Sequence, residues 1–397
     1  MTTTFGWQRA SHGAGLLGAH GALTPSIFAE MSALSVASGA LNLGQGFPDE
    51  DGPAEILELA RTAIAEGHNQ YPPGIGIPAL RAAIATHQER FYGLRLDPDR
   101  EILVTTGATE ALAASILALT EPGDEVVTFE PFYDAYGGLI SLAGARHVTV
   151  PLEWPAFAPD PERLRAAISD RTRIILLNTP HNPTGAVTDR ATLELIVELA
   201  HRHDALILTD EVYEHLLFDG RRHEPIATLP GAAERTITIS SGGKTFNTTG
   251  WKIGWLSGPA TLVARVTAVK QFLSYVSGAP FQPAIAAALA LPDSYFLTLA
   301  SDLQAKRDLL AAGLTAAGFT VSLPAAGYFI VADAAPLGHG DATALARALP
   351  GQIGVTAIPV GAFVHAENAP RYGSLLRFAF SKRPEVLHEA VSRLASL

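Results

Sequence analysis

The alternation of short apolar runs with longer Ala/Leu-rich stretches, which begins near residue 50, constrains the fold more than any other feature of this sequence. The apolar runs are continuous, and continuous runs indicate strands that are covered on both faces. Strands of this kind separated by helical patterns are typical of an α/β protein with a mostly parallel sheet. The predicted strands cover residues 102–104, 125–129, 147–152, 173–178, 205–209, 236–240 and 251–256.

The pattern changes near residue 290, where a long helical stretch (302–317) leads into short strands at 320–323 and 327–332. A last predicted strand at 375–380 precedes a C-terminal helix that begins at Pro384. We therefore expect a large domain over residues 46–290 and a smaller α+β domain. The smaller domain would combine residues 1–45 with residues 291–397. About 20 residues at the N-terminus, rich in Gly, Ala and His, would form an arm that is either flexible or ordered.

Composition excludes several classes of function. The formal net charge of −11 argues against a nonspecific grip on nucleic acid. The absence of cysteine excludes disulfides, thiolate metal sites and cysteine nucleophiles, and it fits a reducing compartment. No signal peptide and no run of about 18 apolar residues is found, so no membrane span is expected. We expect a soluble, cytoplasmic protein.

Ligands of such sheets collect at the carboxyl ends of the strands, so the residues that follow each strand are informative. A small-residue turn, Gly107-Ala108-Thr109, opens a helix after the first strand, and it is either a phosphate cradle or a simple capping turn. Asn182 follows a later strand within Asn-Thr-Pro-His-Asn-Pro-Thr-Gly. Asparagine suits a turn as well as it suits a ligand contact, so both readings stay open.

Two further strand ends carry groups that are costly to bury. Asp210 ends an apolar strand without a metal-binding cluster, so it needs another cation such as a protonated heterocyclic nitrogen, and Tyr213 follows it three residues later. Lys244 follows the next strand, in a chain where only five of the 28 basic residues are lysine. An amine, unlike a guanidinium, can attack a carbonyl. Together these parts suit pyridoxal phosphate bound to a lysine, and they indicate no metal.

The order of several motifs resembles the class I/II aminotransferases, which are pyridoxal-phosphate enzymes of fold type I. The motifs are GQGFPD, NQYPPG, GATEA, EPFYD, PHNPTG, DEVYE and SSGGKTFNTTGWKIGW. The resemblance covers nearly the whole chain, and it is closest to the kynurenine/glutamine/methionine branch and to N-succinyldiaminopimelate aminotransferases. It implies a mostly parallel sheet of the seven-stranded type in the large domain, beside the smaller α+β domain.

The resemblance also implies roles for the residues around the cofactor ring. Lys244 would bind the cofactor covalently and later move a proton between the substrate Cα and the cofactor. Asp210 would pair with the pyridinium nitrogen, and Asn182 and Tyr213 would hydrogen-bond the phenolic oxygen. Tyr133 would stack on the ring, although it could instead be a packing residue with its neighbour Phe132 as the stacking group.

The same resemblance implies a phosphate site and a second subunit. The backbone amides of Ala108 and Thr109, the Ser241 hydroxyl and the Lys252 amine would hold the phosphate. Tyr71 matches a tyrosine that reaches the phosphate from the neighbouring subunit. The expected assembly is therefore a homodimer with shared active sites.

On the substrate side, Arg377 matches the arginine that grips the α-carboxylate, a task that suits a bidentate fork. Gly46 lies in the loop that covers the other side of the substrate, although it could be an ordinary turn glycine. Tyr136 and Tyr328 could contact the substrate or could be core residues. The histidines are read as packing or surface groups.

The implied activity is a ping-pong aminotransferase in which an L-amino acid leaves its nitrogen on the cofactor and a 2-oxo acid such as 2-oxoglutarate collects it. The donor is either a large neutral or aromatic amino acid or N-succinyl-LL-diaminopimelate, and the sequence does not decide between them. Lys252 stands where aspartate-type members often have arginine, and residues 271–285 contain no arginine for a second carboxylate. Both features disfavour aspartate. A carbon–sulfur β-lyase, which the same site could serve, is the alternative.

Overall fold

The computed structural model describes residues 5–397 of the chain. Its helices are α1 (Gly6–Gly13), α2 (Ile27–Ser38), α3 (Ala54–Ala65), α4 (Pro78–Tyr92), α5 (Gly107–Leu119), α6 (Ala135–Leu142), α7 (Pro161–Ala167), α8 (Arg190–Arg202), α9 (Gly242–Thr245), α10 (Ala260–Lys270), α11 (Gln282–Leu289), α12 (Asp293–Ala316), α13 (Ala342–Gln352) and α14 (Pro384–Leu394). Its strands are β1 (Leu41–Asn42), β2 (Ile102–Thr106), β3 (Glu125–Glu130), β4 (Arg146–Glu153), β5 (Ala158–Pro159), β6 (Thr172–Asn178), β7 (Leu206–Asp210), β8 (Thr236–Ser241), β9 (Ile253–Ser257), β10 (Thr320–Ser322), β11 (Phe329–Asp333), β12 (Val355–Thr356), β13 (Ile358–Pro359) and β14 (Leu375–Ala379).

The large sheet orders its strands β2-β9-β8-β7-β6-β3-β4-β5. Neighbours from β8 through β7, β6 and β3 to β4 are parallel. Strand β9 runs antiparallel to both β2 and β8. The expected α/β fold with a mostly parallel sheet is confirmed, and the two-residue β5 joins β4 antiparallel as an eighth strand.

Burial on both faces of this sheet explains why its strands read as continuous apolar runs. Adjacent residues of β6 face opposite sides: Ile174 packs in the cluster that contains Leu112 of α5, whereas Ile175 packs in the cluster that contains Ile196 of α8. Each such side chain contributes about 1.5–3 kcal/mol when it is fully buried. A strand with apolar groups on both faces is therefore held between two layers of helices.

A second sheet lies in the C-terminal part of the chain, with the antiparallel order β10-β11-β14-β13. Strand β1 pairs in parallel with β12, through Leu41 opposite Val355 and Asn42 opposite Thr356. Helix α2 packs against α13 of the same region. Residues 27–42 thus lie beside the 291–397 segment, and the division into 46–290 and 1–45 with 291–397 stays a prediction.

Helix α1 lies in the N-terminal arm, whose order the sequence leaves open, and residues 1–4 of that arm lie outside the described residues. Residues 6–13 are helical and pack against α6, which belongs to the large domain. The two backbones approach closely, because a Cβ built on Gly13 would lie 2.2 Å from the carbonyl oxygen of Gly137. The glycines that suggested flexibility instead permit this helix-on-helix contact.

The apolar helices of the chain are short. Within the described residues, no single helix has both the length and the apolar character needed to cross a membrane. The pair α11 and α12, which are bent by 91° relative to each other, passes that test jointly on length and composition alone. The apolar helix α5 packs in the core of the large sheet.

Substituting Gly13 tests the docking of α1. A Cβ at Gly13 would also lie 2.1 Å from Ser141 Oγ, so we expect Gly13→Ala to release α1 from α6, with a loss of about 1–3 kcal/mol in the free energy of unfolding. Hydrogen exchange of the α1 amides and urea denaturation measure the two effects. Gly6→Ala is the matched control, because its Cβ would meet its nearest neighbour at 3.5 Å. Unchanged exchange in Gly13→Ala would contradict the packing.

Candidate active site

The carboxyl ends of the central strands meet around one small cavity. Strand β6 ends at Asn178 and β7 ends at Asp210, and these two residues are direct partners in the sheet register. The cavity has a volume of about 180 Å³. It brings together these residues predicted from the sequence: Ala108, Thr109, Tyr133, Asn182, Asp210, Tyr213, Ser241, Lys244 and Lys252.

Asp210 is a buried carboxylate at the floor of this cavity. The Tyr136 hydroxyl donates a hydrogen bond to its Oδ2 at 2.8 Å, and the Val212 amide approaches Oδ1 at 3.4 Å. No lysine, arginine or histidine within residues 5–397 forms an ion pair with it. Burial raises the pKa of Asp210 to about 6, against the lowering effect of the Tyr136 hydrogen bond. The carboxylate therefore favours a cationic group in the cavity.

Lys244 sits on α9, a single helical turn that begins directly after β8. Its Nζ donates a hydrogen bond to the Tyr328 hydroxyl at 2.6 Å. The same Nζ lies 5.7 Å from the centre of the Tyr213 ring and 5.3 Å from the centre of the Tyr328 ring. The amine is thus held between two phenol rings at the edge of the cavity.

The Lys252 amine and the N-terminus of helix α5 lie close together in the cavity lining. Helix α5 begins at Gly107, whose φ of +71° is a conformation that glycine adopts without strain. A Cβ at Gly107 would lie 3.1 Å from Lys252 Nζ, so the amine lies directly over this helix start. Burial, and next the charge of Lys244, lower the pKa of Lys252. Two positive groups placed together favour an anion between them.

The Ser241 hydroxyl, expected near the same anion, has two contacts in its own turn. It donates to the Ile253 carbonyl at 3.2 Å and accepts from the Gly243 amide at 3.2 Å. The second contact caps α9 and so fixes the start of the turn that carries Lys244. Ser241 lines the cavity together with Lys252.

Arg377 lies on β14 and joins the two sheets. Its Nη2 donates to the Gly44 carbonyl at 2.7 Å, and its Nη1 reaches Asn182 Oδ1 at 3.3 Å. The guanidinium carbon lies 4.0 Å from the Phe329 ring centre and 4.7 Å from that of Phe363. Burial lowers the pKa of Arg377 to about 10, and its Nε has no hydrogen-bond partner within residues 5–397. Unused donor capacity at a buried guanidinium suits a carboxylate ligand.

Two tyrosines that the sequence left undecided contact the predicted residues directly. Tyr136 donates to Asp210, as described above, and the Tyr328 hydroxyl also donates to the Gly46 carbonyl at 2.7 Å. Both side chains are buried, so each combines core packing with a polar contact to the site. A sequence signal existed for Tyr136, which follows Tyr133 by three residues at the start of α6. The contact of Tyr328 depends on the docking of β11 and had no local signal.

Gly46 itself permits a close approach. A Cβ at this position would lie 2.4 Å from Phe329 Cζ, a distance that no side chain tolerates. The backbone of residues 44–46 can therefore reach both the Arg377 and the Tyr328 side chains.

Tyr71 does not join these residues within one chain. Its side chain is 81% exposed and makes an edge-to-face contact with Tyr275, with 5.7 Å between ring centres. Tyr71 borders a separate groove with residues 276–280. A single chain therefore leaves Tyr71 outside the cavity.

A second, larger cavity of about 690 Å³ also opens onto Lys244. It is bordered by the 48–53 segment and by α12. Lys244 lines both cavities, whereas Tyr328 lines only the larger one and Asp210 only the smaller one. The lysine thus stands at the boundary between the two.

A group of two buried residues, His87 and Glu214, and the half-buried His215 lies outside these cavities, with its possible ligand atoms within 4.8 Å of one another. The two imidazole Nε2 atoms are 2.7 Å apart, which is a hydrogen bond, whereas ligands of a tetrahedral zinc ion lie about 3.3 Å apart. Glu214 accepts hydrogen bonds from Ser240 and Gln88. Burial lowers the pKa of both histidines, that of His215 to about 3. The polar atoms of this group are therefore hydrogen-bonded to one another and to Ser240 and Gln88.

Comparison with known proteins gives a consistent result. The family model described as "Aminotransferase class I and II" matches residues 38–394. A probable N-succinyldiaminopimelate aminotransferase, DapC, of Mycobacterium tuberculosis is 53% identical over 380 residues, which cover 94% of this chain and 96% of the relative. A solved structure of N-succinyldiaminopimelate aminotransferase from that organism superimposes with a TM-score of 0.91 at 53% identity, covering 94% of this chain and 97% of the other.

Two other relatives represent the remainder of the predicted branch. Kynurenine–oxoglutarate transaminase 3 of Mus musculus is 39% identical over 395 residues, covering 93% of this chain and 87% of the relative. Methionine aminotransferase of Escherichia coli K12 is 39% identical over 376 residues, covering 94% of this chain and 96% of the relative. The resemblance drawn from the motifs is confirmed. These matches give no support to the β-lyase alternative.

Replacing Asp210 tests how much the burial of its charge lowers the free energy of unfolding. Folded Asp210 keeps its proton up to about pH 6, whereas an unfolded aspartate loses it near pH 3.9, so the folded state binds more protons between these values. The free energy of unfolding of the ligand-free protein then falls as the pH rises through this window. We expect the free energy of unfolding of Asp210→Asn to exceed that of the parent by about 3 kcal/mol at pH 7 and to match it below pH 4.

Urea denaturation of the ligand-free protein at a series of pH values measures this difference. Asp302→Asn, at an exposed position, is the control and should show no such gap. A difference between Asp210→Asn and the parent that does not change with pH would contradict the assigned burial cost.

Proposed function

This chain belongs to the class I and II aminotransferases, which are pyridoxal-phosphate-dependent, and on that premise we propose that its cofactor binds in the small cavity at the strand ends. The observation that carries the proposal is the pairing of a reactive amine, Lys244, with the buried and unpaired carboxylate of Asp210 in one cavity. The amino group of an L-amino acid is transferred to a 2-oxo acid such as 2-oxoglutarate in a ping-pong sequence.

The residues present fit pyridoxal phosphate at three points. The Asp210 carboxylate, which has no ion-pair partner within residues 5–397, suits a protonated ring nitrogen. The α5 N-terminus, with the amides of Ala108 and Thr109 and with the amine of Lys252, suits the phosphate. Lys244 supplies the amine that an aldehyde requires. Bound there, the cofactor supplies an electron-withdrawing ring that acidifies the substrate Cα–H bond.

The side chains of this protein then bind, orient and move a proton. Asp210 would keep the ring nitrogen charged, and Tyr136 fixes the orientation of that carboxylate through its 2.8 Å hydrogen bond. Asn182 and Tyr213 would hydrogen-bond the phenolic oxygen, and Tyr133 would cover the ring. Lys244 would accept the proton from the substrate Cα and hold it for return later in the transfer.

Arg377 orients the substrate by its α-carboxylate. A carboxylate oxygen can take the unpartnered Nε and share the fork that now contacts Gly44 and Asn182. The rings of Phe329 and Phe363 lie against the guanidinium and exclude water from the ion pair. A desolvated charge pair of this kind is stronger than an exposed one.

For the amino donor we put N-succinyl-LL-diaminopimelate first, ahead of large neutral and aromatic amino acids. The higher identity to the M. tuberculosis relative, 53% against 39% for the kynurenine and methionine enzymes, supports this order. Aspartate comes last, because residues 271–285 carry no arginine to pair with a second carboxylate. Discrimination by apolar contacts is worth only about 1–3 kcal/mol per methylene, so several donors can be accepted.

A half-reaction screen tests function and donor together. Each candidate amino acid is mixed with the cofactor-loaded enzyme without acceptor, and the visible absorbance of the bound cofactor is followed. We expect the largest kcat/KM with N-succinyl-LL-diaminopimelate and the smallest with aspartate. A faster reaction with methionine or kynurenine would overturn the proposed order of donors.

Lys244→Ala should lose turnover by at least about a thousandfold while retaining its fold, because no other group at this position supplies an amine. Lys244→Arg is the matched variant, since a guanidinium keeps the charge but makes no covalent bond to the cofactor. Circular dichroism checks folding, and mass spectrometry after borohydride reduction checks the lysine–cofactor link. Turnover that persists in both variants would remove Lys244 from the mechanism.

A homodimer with shared active sites completes the proposal. Tyr71 is 81% exposed and contacts the half-exposed Tyr275, and a second copy of the chain would cover these two rings. From that surface Tyr71 would reach the phosphate of the other subunit. Each site would then need Lys244 from one chain and Tyr71 from its partner.

Mixing two inactive variants tests this arrangement. Co-expression of Lys244→Ala with Tyr71→Ala gives hybrid dimers that contain one intact site each, so the mixture should regain about a quarter of the parent activity. Each variant expressed alone is the control. A mixture no more active than the average of the two would show that Tyr71 serves its own chain.

A further inference from the structure

The hydroxyl of Tyr328 lies between Lys244 and the 44–46 segment. It accepts from Lys244 Nζ at 2.6 Å and donates to the Gly46 carbonyl at 2.7 Å. The Tyr328 side chain is only 1% exposed, whereas Lys244 and Gly46 are half-buried. None of the roles assigned above includes this residue.

The number of protons that each group carries fixes the direction of both hydrogen bonds. A phenol has one proton, and a carbonyl oxygen can only accept. Tyr328 therefore donates its proton to the Gly46 carbonyl, and its oxygen can only accept a hydrogen bond from Lys244. An uncharged amine that donates to Tyr328 keeps its lone pair free.

The two cavities decide where that lone pair can act. Tyr328 borders only the larger cavity, and Asp210 borders only the smaller one, while Lys244 borders both. An amine tethered to Tyr328 by one N–H can direct its lone pair to the smaller cavity, where the cofactor and substrate are proposed to bind. We infer that Tyr328 is a positioning residue for the reaction, which holds the uncharged Lys244 amine so that its lone pair faces the substrate Cα.

This inference rests on the proposed function, because it requires Lys244 to be the proton acceptor. In the step, the Cα–H bond breaks, its electron pair stays on the substrate side, and a new N–H bond forms on Lys244. The resulting ammonium still donates to Tyr328, which keeps its own proton throughout. The proton leaves Lys244 again when it is delivered to the carbon that bears the transferred nitrogen.

The 44–46 segment connects this contact with the substrate carboxylate. Gly44 accepts from Arg377, and Gly46 accepts from Tyr328 two residues later. The same short backbone segment thus fixes the group that orients the substrate and the group that orients the base. Such preorganisation lowers the cost of reaching the reactive geometry.

The alternative is that Tyr328 only packs. Its ring makes edge-to-face contacts with Tyr213, at 5.2 Å between centres, and with Phe329, at 4.8 Å. Tyr328→Phe keeps both ring contacts and removes only the hydroxyl, so it separates the two roles. Tyr372→Phe is the matched control, because Tyr372 is equally buried and hydrogen-bonded, to the carbonyls of Glu130 and Leu152.

The first measurement uses the cofactor-free chain. With ¹³C at the lysine ε-carbon, the five lysines give few signals, and Lys244→Ala identifies the one of interest. A held amine keeps its two ε-protons inequivalent, whereas a freely rotating one averages them. We expect separate ε-proton shifts for Lys244 in the parent and in Tyr372→Phe, and averaged shifts in Tyr328→Phe. Separate shifts that persist in Tyr328→Phe would overturn the inference.

The second measurement uses the loaded enzyme with an amino donor that is active on the parent. We expect Tyr328→Phe to lower kcat by about tenfold to a hundredfold, with KM little changed, because the variant loses one hydrogen bond to an amine that becomes charged as it takes the proton. The isotope effect from a Cα-deuterated donor should grow, because proton transfer becomes the slow step. An unchanged kcat and isotope effect, in an otherwise active parent, would overturn the role of Tyr328 alone. An inactive parent, or an active Lys244→Ala, would instead overturn the proposed function.

Discussion

The buried carboxylate of Asp210 is the constraint on which the remaining site depends. It ends a strand whose other residues are apolar, and burial raises its pKa to about 6. The sheet stabilises the position of this group but supplies it with no cation within residues 5–397. The Tyr136 hydroxyl donates to Oδ2 and the Val212 amide approaches Oδ1, but neither group carries a charge. A cationic group bound in the cavity, as proposed for the cofactor, would offset the cost of burying this carboxylate at the end of β7.

The second organising interaction is the guanidinium of Arg377, which connects the C-terminal sheet with the large one. It contacts Gly44 and Asn182 and lies between the rings of Phe329 and Phe363. Because those contacts belong to separate parts of the chain, the position of Arg377 relative to the cavity depends on how the two sheets dock. Lys244 and Tyr328 meet across the same junction. In the proposed mechanism, the orientation of the substrate by Arg377 and that of the base by Tyr328 therefore depend on the same junction.

Local sequence patterns predicted a large share of this architecture. The apolar runs located the strands of the large sheet within a few residues, and the polar residues that follow them line one cavity, as Asp210 and Lys244 show. The patterns were less informative where two distant segments touch. The order of the N-terminal arm stayed open, since glycine suits both mobility and close packing, and only the contact between Gly13 and Gly137 shows that α1 packs.

The sequence by itself determined the two-sided sheet, the family and the types of group at each strand end. Strand burial and turn chemistry depend on residues that are neighbours in the sequence. Only the tertiary structure decided that Tyr136 serves Asp210 and that Tyr328 joins Lys244 to Gly46. Tyr328 is 84 positions from Lys244 and 282 from Gly46, so no local sequence pattern predicts these contacts. Tyr71 is a further case, because its environment depends on a surface that one folded chain leaves exposed.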